Sequence, residues 1–301
     1  MKQKFNRKNS RIKIFIKDRL YERKDAKISV FDSSVQGGDA VWEGLRVYNG
    51  KIFCFDEHVK RLRESAKSLL FTEIPARKFI IEAVTETLKA NNMNDNVHIR
   101  LTLTRGEKIT SGMDPRLNKN GSCLIVLAEW KPPVYDNKSG IKLITSHICR
   151  NSSRSLDSKI HHNNLLNNIL AKIEANISGA DDALMLDISG FVAETNAANI
   201  FMIKDGNLNT PAADACLPGI TRKLVLDIAG NLGIKCFEKN LSVTEFYNAD
   251  EVFTTGTMGE LTPVTEIDGR KIINNINSGI FRKIETKFRE LTLNSGYKIQ
   301  N

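Results

Sequence analysis

The stretch KPPVYDNKSG, residues 131–140, constrains the fold more than any other feature of the chain. It packs Pro-Pro, Asp-Asn and Ser-Gly together, and such dipeptides end regular structure and favour turns. On each side lies a long block that mixes helical and strand periods, so each block needs a core of its own. The chain has 301 residues, more than one core typically holds. The pattern therefore predicts an α+β protein with two domains, residues 1–130 and 141–301, joined by a linker at 131–140. Hydrophobic residues make up 41% and charged residues 26%, as in a soluble globular protein. No apolar run approaches the roughly 18 residues of a membrane span. The N-terminal MKQKFNRKNSRIKIF is basic and lacks the apolar stretch of a secretory signal. A cytoplasmic protein without membrane contact is the expectation.

The elements within each block follow from their periods. VWEGLRVYNGKIFCF reads as two strands around Asn49-Gly50, the strongest short hairpin signal. DEHVKRLRESAKSLL reads as a helix with Asp56 at its N-cap, and ARKFIIEAVTETLKANNM as a second helix. VHIRLTLTRG and SCLIVLAEW read as strands. Beyond the linker, IKLITS is a strand and a long helix follows. Its residues Leu165, Leu166, Ile169, Leu170 and Ile173 form an apolar stripe, with Gly179 as a stop. Ile188-Ser189-Gly190 and Lys204-Asp205-Gly206-Asn207 each separate two strand patterns. LPGITRKLVLDIAGNLGI is a helix led in by Pro218-Gly219.

The net charge is +9, and much of the excess sits in the first 27 residues. No basic stripe with interleaved aromatics accompanies it, so no nucleic-acid partner is expected. The cysteines, Cys54, Cys123, Cys149, Cys216 and Cys236, are scattered and never form a CxxC pair. That pattern predicts buried, reduced thiols rather than a disulfide framework or a zinc ribbon. The adjacent pair His161-His162 has no accompanying acid-histidine cluster, and neighbours on a strand face opposite ways. No metal site is expected.

Several residues suit the binding of an anionic ring compound. A glycine before a helix start, at Gly219-Ile220-Thr221, leaves backbone N–H groups for an anion, and Thr221 adds a hydroxyl. The loop Thr254-Thr255-Gly256-Thr257 is rich in hydroxyls. Arg61 has the forked guanidinium that matches phosphate oxygens. Glu194 stands in an otherwise neutral segment, GFVAETNAANIF, where a carboxylate suits a protonated ring nitrogen. Each alone is also compatible with an ordinary surface or helix-start role.

Together the segments VWEGLRVYNGKIF, EHVKRL, ALMLDISGFVAETNAANIF, LNTPAADACLPGITR and FTTGTMGELTPV resemble the class IV aminotransferases, in the family's order and over roughly residues 20–295. These are pyridoxal-phosphate enzymes of fold type IV. Asn196 stands where the family prefers a small residue or Ser. The resemblance implies that Arg61 grips the cofactor phosphate, helped by Ile220, Thr221 and Thr257. It implies that Glu194 pairs with the ring nitrogen, which keeps the ring an electron sink, and that Asn199 belongs to the same cofactor-binding set. It also implies a homodimer.

The family needs one lysine, whose amine joins the cofactor aldehyde and later moves the substrate's α-proton. That lysine precedes an Asn at the following helix, spaced K-x-x-N or K-x-x-x-N. Two residues compete here. Lys159 satisfies the longer spacing to Asn163. His161 takes the place if the shorter spacing is counted from Asn164. On an extended segment the two share a face about 6.6 Å apart. Lys159 is taken as the amine, with His161 as the alternative occupant.

The substrate pocket is expected to use Trp42, His98, Arg100 and Met258. Trp42 and Arg100 match positions of branched-chain enzymes, whereas His98 replaces a tyrosine there. The reading implied is amino transfer from an amino acid, with a branched-chain-like L-amino acid favoured, to a 2-oxo acid. The alternatives are an aminodeoxychorismate-lyase-like enzyme and a lysine-less relative that has lost transamination.

Overall fold

The computed structural model describes residues 4–273 and 278–299. Residues 1–3, 274–277 and 300–301, which fall within the expected domains, lie outside them. The chain divides into two compact units. One runs from the N-terminus to Pro132 and takes in Ile160–Asn164 and the chain end from Thr292. The other comprises Pro133–Lys159 and Leu165–Leu291.

In the first unit the elements are β1 (Lys13–Ile16), β2 (Arg19–Glu22), α1 (Ser33–Gly37), β3 (Ala40–Tyr48), β4 (Lys51–Ile52), α2 (Phe55–Ser68), α3 (Arg77–Ala90), β5 (Val97–Thr104) and β6 (Cys123–Trp130). A short last strand, Tyr297–Lys298, heads an antiparallel sheet that continues β4-β3-β5-β6-β1-β2. The β3–β4 turn is the expected one: Asn49 and Gly50 both take positive φ, 45° and 74°, as a primed hairpin turn requires.

Strand periodicity sorts the side chains of this sheet. Val41, Leu45 and Val47 of β3 and Val97, Ile99, Leu101 and Leu103 of β5 join one core with Val59 and Leu62 of α2 and Ile80, Val84 and Leu88 of α3. The alternate positions pair on the opposite face: Trp42 with Thr102, Gly44 with Arg100, and Arg46 with His98. Helix α2 starts two residues earlier than Asp56 would set it. Its N-cap is Cys54, in the left-handed region at φ 48°, and no side chain caps it. Asp56 lies in the first turn and pairs with Arg77 instead.

The second unit contains β7 (Ile141–Thr145), α4 (Leu166–Ile177), β8 (Asp182–Leu186), β9 (Val192–Thr195), β10 (Asn199–Lys204), β11 (Asn207–Pro211), α5 (Ile220–Asn231), β12 (Cys236–Lys239), α6 (Val243–Tyr247), β13 (Glu251–Gly256), β14 (Glu260–Ile267) and β15 (Arg270–Lys271). A further helix, α7 (Ile280–Asn294), ends in the first unit. The sheet runs β12-β11-β10-β13-β14-β7-β8-β9, with β15 against β14. Leu143, Leu184, Ile200, Met202, Phe246, Val252 and Val264 form its core.

Two expectations need correction here. The apolar stripe of α4 is not buried: Leu166, Ile169, Leu170 and Ile173 are exposed, and Ala171 and Ala175 face the core instead. The small side chains let α4 lie close on the sheet, which turns the large ones outward. The cysteines are all free, but only Cys123 and Cys216 are buried, and Cys149 is exposed.

Leu62 is fully buried where α2 meets the sheet. Leu62→Ala is expected to cost about 2–5 kcal/mol, the sum of lost transfer energy and a residual cavity. Urea unfolding measures it; an unchanged midpoint would contradict the packing of α2 on β3 and β5.

Candidate functional site

Glu43 organises the candidate site in the first unit. Period two puts it on the core face of β3 between Val41 and Leu45, and its side chain is fully buried. Arg61 forks onto it from α2, with Nε donating to Oε1 at 2.7 Å and Nη2 to Oε2 at 2.7 Å. His58 Nδ1, one helical turn earlier, lies 2.6 Å from Oε2. His161 Nδ1 lies 3.1 Å from Oε1. Burial opposes a charged Glu43, but His161 and Arg61 outweigh it and hold the carboxyl well below its ordinary range.

His161 arrives because Ile160–Asn164 runs along the free edge of β3. Trp42 N–H donates to the His161 carbonyl at 2.9 Å, and Asn163 N–H to the Ala40 carbonyl at 2.9 Å. Trp42 Nε1 donates to the His162 carbonyl at 3.1 Å. The Trp42 and His161 rings pack with centroids 4.2 Å apart. The Arg100 guanidinium lies 3.8 Å from the Trp42 ring centre and donates to Asn163 Oδ1 at 2.8 Å. His98 is buried beside them, and its Nε2 has no hydrogen-bond partner among the described residues. Burial, then the charges of Lys131, Arg46 and Arg100, push its pKa down to about 3, so its ring is neutral. Trp42, His98, Arg100, Arg61 and His161 are thus all in this unit.

Lys159 is placed otherwise than the extended-segment geometry predicts. Asp157 Oδ1 accepts the Lys159 N–H at 2.9 Å and turns the chain there. The turn breaks the alternation of faces. Lys159 is exposed, whereas His161 is half-buried. The other lysines near this stretch are engaged: Lys142 with Glu266, and Lys172 with Asp182.

In the second unit Glu194 sits on β9, buried, with Arg150 Nη2 2.9 Å from Oε1 and Asn199 Nδ2 donating to Oε2 at 3.0 Å. Burial raises its pKa, against the pull of Arg150. Asn199 also donates to the Leu217 carbonyl at 2.9 Å. Helix α5 begins at Ile220 behind Gly219, and no side chain caps it. Thr221 is buried in its first turn. Thr255 pairs in register with Asn199, and its buried Oγ1 has no partner among the described residues. Thr257 and Met258 lie half-buried in the β13–β14 turn. Asn196, the departure from the family pattern, is structural: its Oδ1 accepts the Ala183 N–H at 2.8 Å.

Over residues 40–267 the chain matches the family model for amino-transferase class IV. The chain belongs to the class IV aminotransferase family. It is 55% identical over 291 residues to branched-chain-amino-acid aminotransferase-like protein 2 of Arabidopsis thaliana, covering 97% of this chain and 52% of that protein. It therefore spans about half the length of that relative. A putative branched-chain-amino-acid aminotransferase of Methanocaldococcus jannaschii is 40% identical, covering 96% of this chain and 99% of that one. Among solved structures, the branched-chain aminotransferase of the archaeon Thermoproteus uzoniensis with norvaline superposes with a TM-score of 0.86 at 31% identity, over 94% of this chain and 95% of that one. The α+β, fold type IV architecture follows.

The family's cofactor can be tested against the residues present. The uncapped start of α5 and the unpartnered Thr255 hydroxyl suit a phosphate. Glu194, with lone-pair capacity left beyond Arg150, Asn199 and the Leu217 N–H, suits a ring nitrogen. The aldehyde is not matched, since the inner residue is an imidazole and the amine is exposed. Glu43, His58 and Arg150 are not among the site residues expected from the sequence. Glu43 had a signal, an acid at a core-facing position of an alternating strand.

A lowered folded pKa stabilises above the unfolded value and loses that contribution as pH falls through the folded one. Glu43 starts from 4.5. Below that pH, wild type should lose stability more steeply than Glu43→Gln, as read from urea midpoints against pH; parallel curves would show that Glu43 is not charged in the folded state.

Proposed function

We propose that this chain binds pyridoxal phosphate and transfers an amino group from an amino acid to a 2-oxo acid. A branched-chain-like L-amino acid is the favoured donor, and the setting is cytoplasmic. The observation that carries the reading is the buried Glu194 with Arg150 and Asn199, next to an uncapped helix start, in a chain of the class IV family. When bound, the cofactor supplies the electron sink that weakens the bond from the amino acid's α-carbon to its proton.

The chain's own residues do the rest. Arg150 holds Glu194 in place from one side, and Asn199 ties the same carboxylate to the segment before α5. With the cofactor bound, the N–H groups at Ile220 and Thr221 and the Thr257 hydroxyl would hold its phosphate oxygens. In the first unit Arg100 is held flat on Trp42 and supplies a cation for a substrate carboxylate. Trp42, beside Arg100, would give an apolar wall for a branched side chain. A homodimer is supported by the exposed Leu166, Ile169, Leu170 and Ile173 of α4.

Purified protein given pyridoxal phosphate, L-leucine and 2-oxoglutarate should form glutamate. Cofactor binding without glutamate would favour the relative that has lost transamination, the alternative supported by the exposed Lys159. Glu194→Gln should retain the cofactor and lose about 10²-fold or more in turnover, since a neutral amide cannot keep the ring nitrogen protonated. Full turnover in that variant would remove Glu194 from the site.

A further inference from the structure

We propose that the second unit carries a further binding cavity, and that it takes a small organic cation: an amidinium or ammonium group on an apolar, ring-bearing body. The cavity lies at the β10-β11-β12 end of the sheet and shares no residue with the surroundings of Glu194. Its volume is about 430 Å³, within the range of small-molecule sites.

Period two and register build it. Met202 of β10 stands opposite Asn209 of β11, and Asn209 opposite Phe237 of β12, so the three side chains form a row on one face. Lys204 and Asn207 pair in the next row. Thr244, Glu245 and Asn248, in and just beyond α6, line the remaining side. Strand β12 ends the sheet and leaves Phe237 exposed. Its ring and the Met202 side chain make the apolar part of the lining.

The polar part is one-sided. Asn207 Nδ2 donates to the Asp205 carbonyl at 3.1 Å, Asn209 Nδ2 to the Asn207 carbonyl at 3.2 Å, and Asn248 Nδ2 to the Thr244 carbonyl at 2.8 Å. A carbonyl only accepts, so in each case the amide nitrogen is the atom turned to it. The three amide oxygens are left over, without a partner among the described residues. Asn209 weighs most: only 5% of it is exposed, and a buried acceptor without a donor is costly.

The charges point the same way. Lys204 is paired with Asp250 at 3.3 Å, and Lys239 with Glu245 at 3.5 Å. The Asp205 carboxylate has no partner among the described residues. The cavity thus offers acceptor oxygens, an unbalanced negative charge and an aromatic face. A ligand that answers all three brings N–H donors, a positive charge and an apolar body, and a cation near Phe237 also gains from the ring face. A carboxylate or phosphate would instead meet lone pairs on every asparagine.

Isothermal titration of the full chain with benzamidine and benzamide tests this, since the two share a ring and differ in charge. Benzamidine should bind about tenfold or more tighter than benzamide. Asn209→Leu should weaken benzamidine about tenfold or more. Phe237→Ala and Asp205→Asn should each weaken it about two- to fivefold. Phe237 is exposed, and Asn tolerates the φ of 48° at residue 205, so these two variants decide the matter even where Asn209→Leu unfolds. Saturating pyridoxal phosphate should leave the affinity unchanged. Equal affinity for benzamide, no saturable binding of benzamidine, or binding that Phe237→Ala and Asp205→Asn both leave unaltered overturns the inference. Competition by pyridoxal phosphate does so too, because it places the probe elsewhere. None of these outcomes touches the proposed function, which rests on other residues.

Discussion

A carboxylate buried in a sheet core has to find its countercharges there, and Glu43 is such a group. It points among Val41, Leu45 and the side chains of α2, where an isolated charge is costly. Arg61 answers with two parallel N–H bonds and His58 with one. The remaining capacity is met by His161, from a segment more than a hundred residues further along the chain. The same few residues that satisfy the acid therefore determine where residue 161 goes.

The consequence extends to the candidate amine. Ile160–Asn164 belongs to the first unit, while the residues before and after it belong to the second. The segment is held by backbone pairing to β3 and by the Glu43 contact, so its register is set to single-residue precision. A shift of one position would put His162 or Ile160 beside the carboxylate. The register thus selects an imidazole at this point and leaves Lys159 on the turn.

The second unit contains a comparable acid in a different electrostatic state. Glu194 is buried like Glu43 and also has an arginine, Arg150. Its other near partners are uncharged, the Asn199 amide and the Leu217 N–H. Burial outweighs Arg150, the Leu217 N–H and Arg222 there and its pKa moves up, where His161 and Arg61 move that of Glu43 down. Two acids in similar isolation thereby acquire different roles: Glu43 holds a fixed charge that orders side chains, and Glu194 remains responsive to a basic partner.

Local chemistry in the sequence determined much of this. The Asn49-Gly50 and Asp205-Gly206 turns, the strands beside them and the start of α5 at Ile220 all follow from turn preferences and period, because these depend on neighbours a few residues apart. The candidate residues, Arg61 in the first unit and Glu194, Asn199 and Thr221 in the second, could be picked out for the same reason, as members of short motifs. Long-range contact decided the rest. Periodicity marked the apolar side of α4 but not the side it buries, and Ala171 and Ala175 took the core because small side chains allow closer approach. Spacing alone left Lys159 and His161 both open. Only the pairing of Ile160–Asn164 with β3, and the demand of a buried Glu43 for a partner, turned His161 inward and left Lys159 exposed.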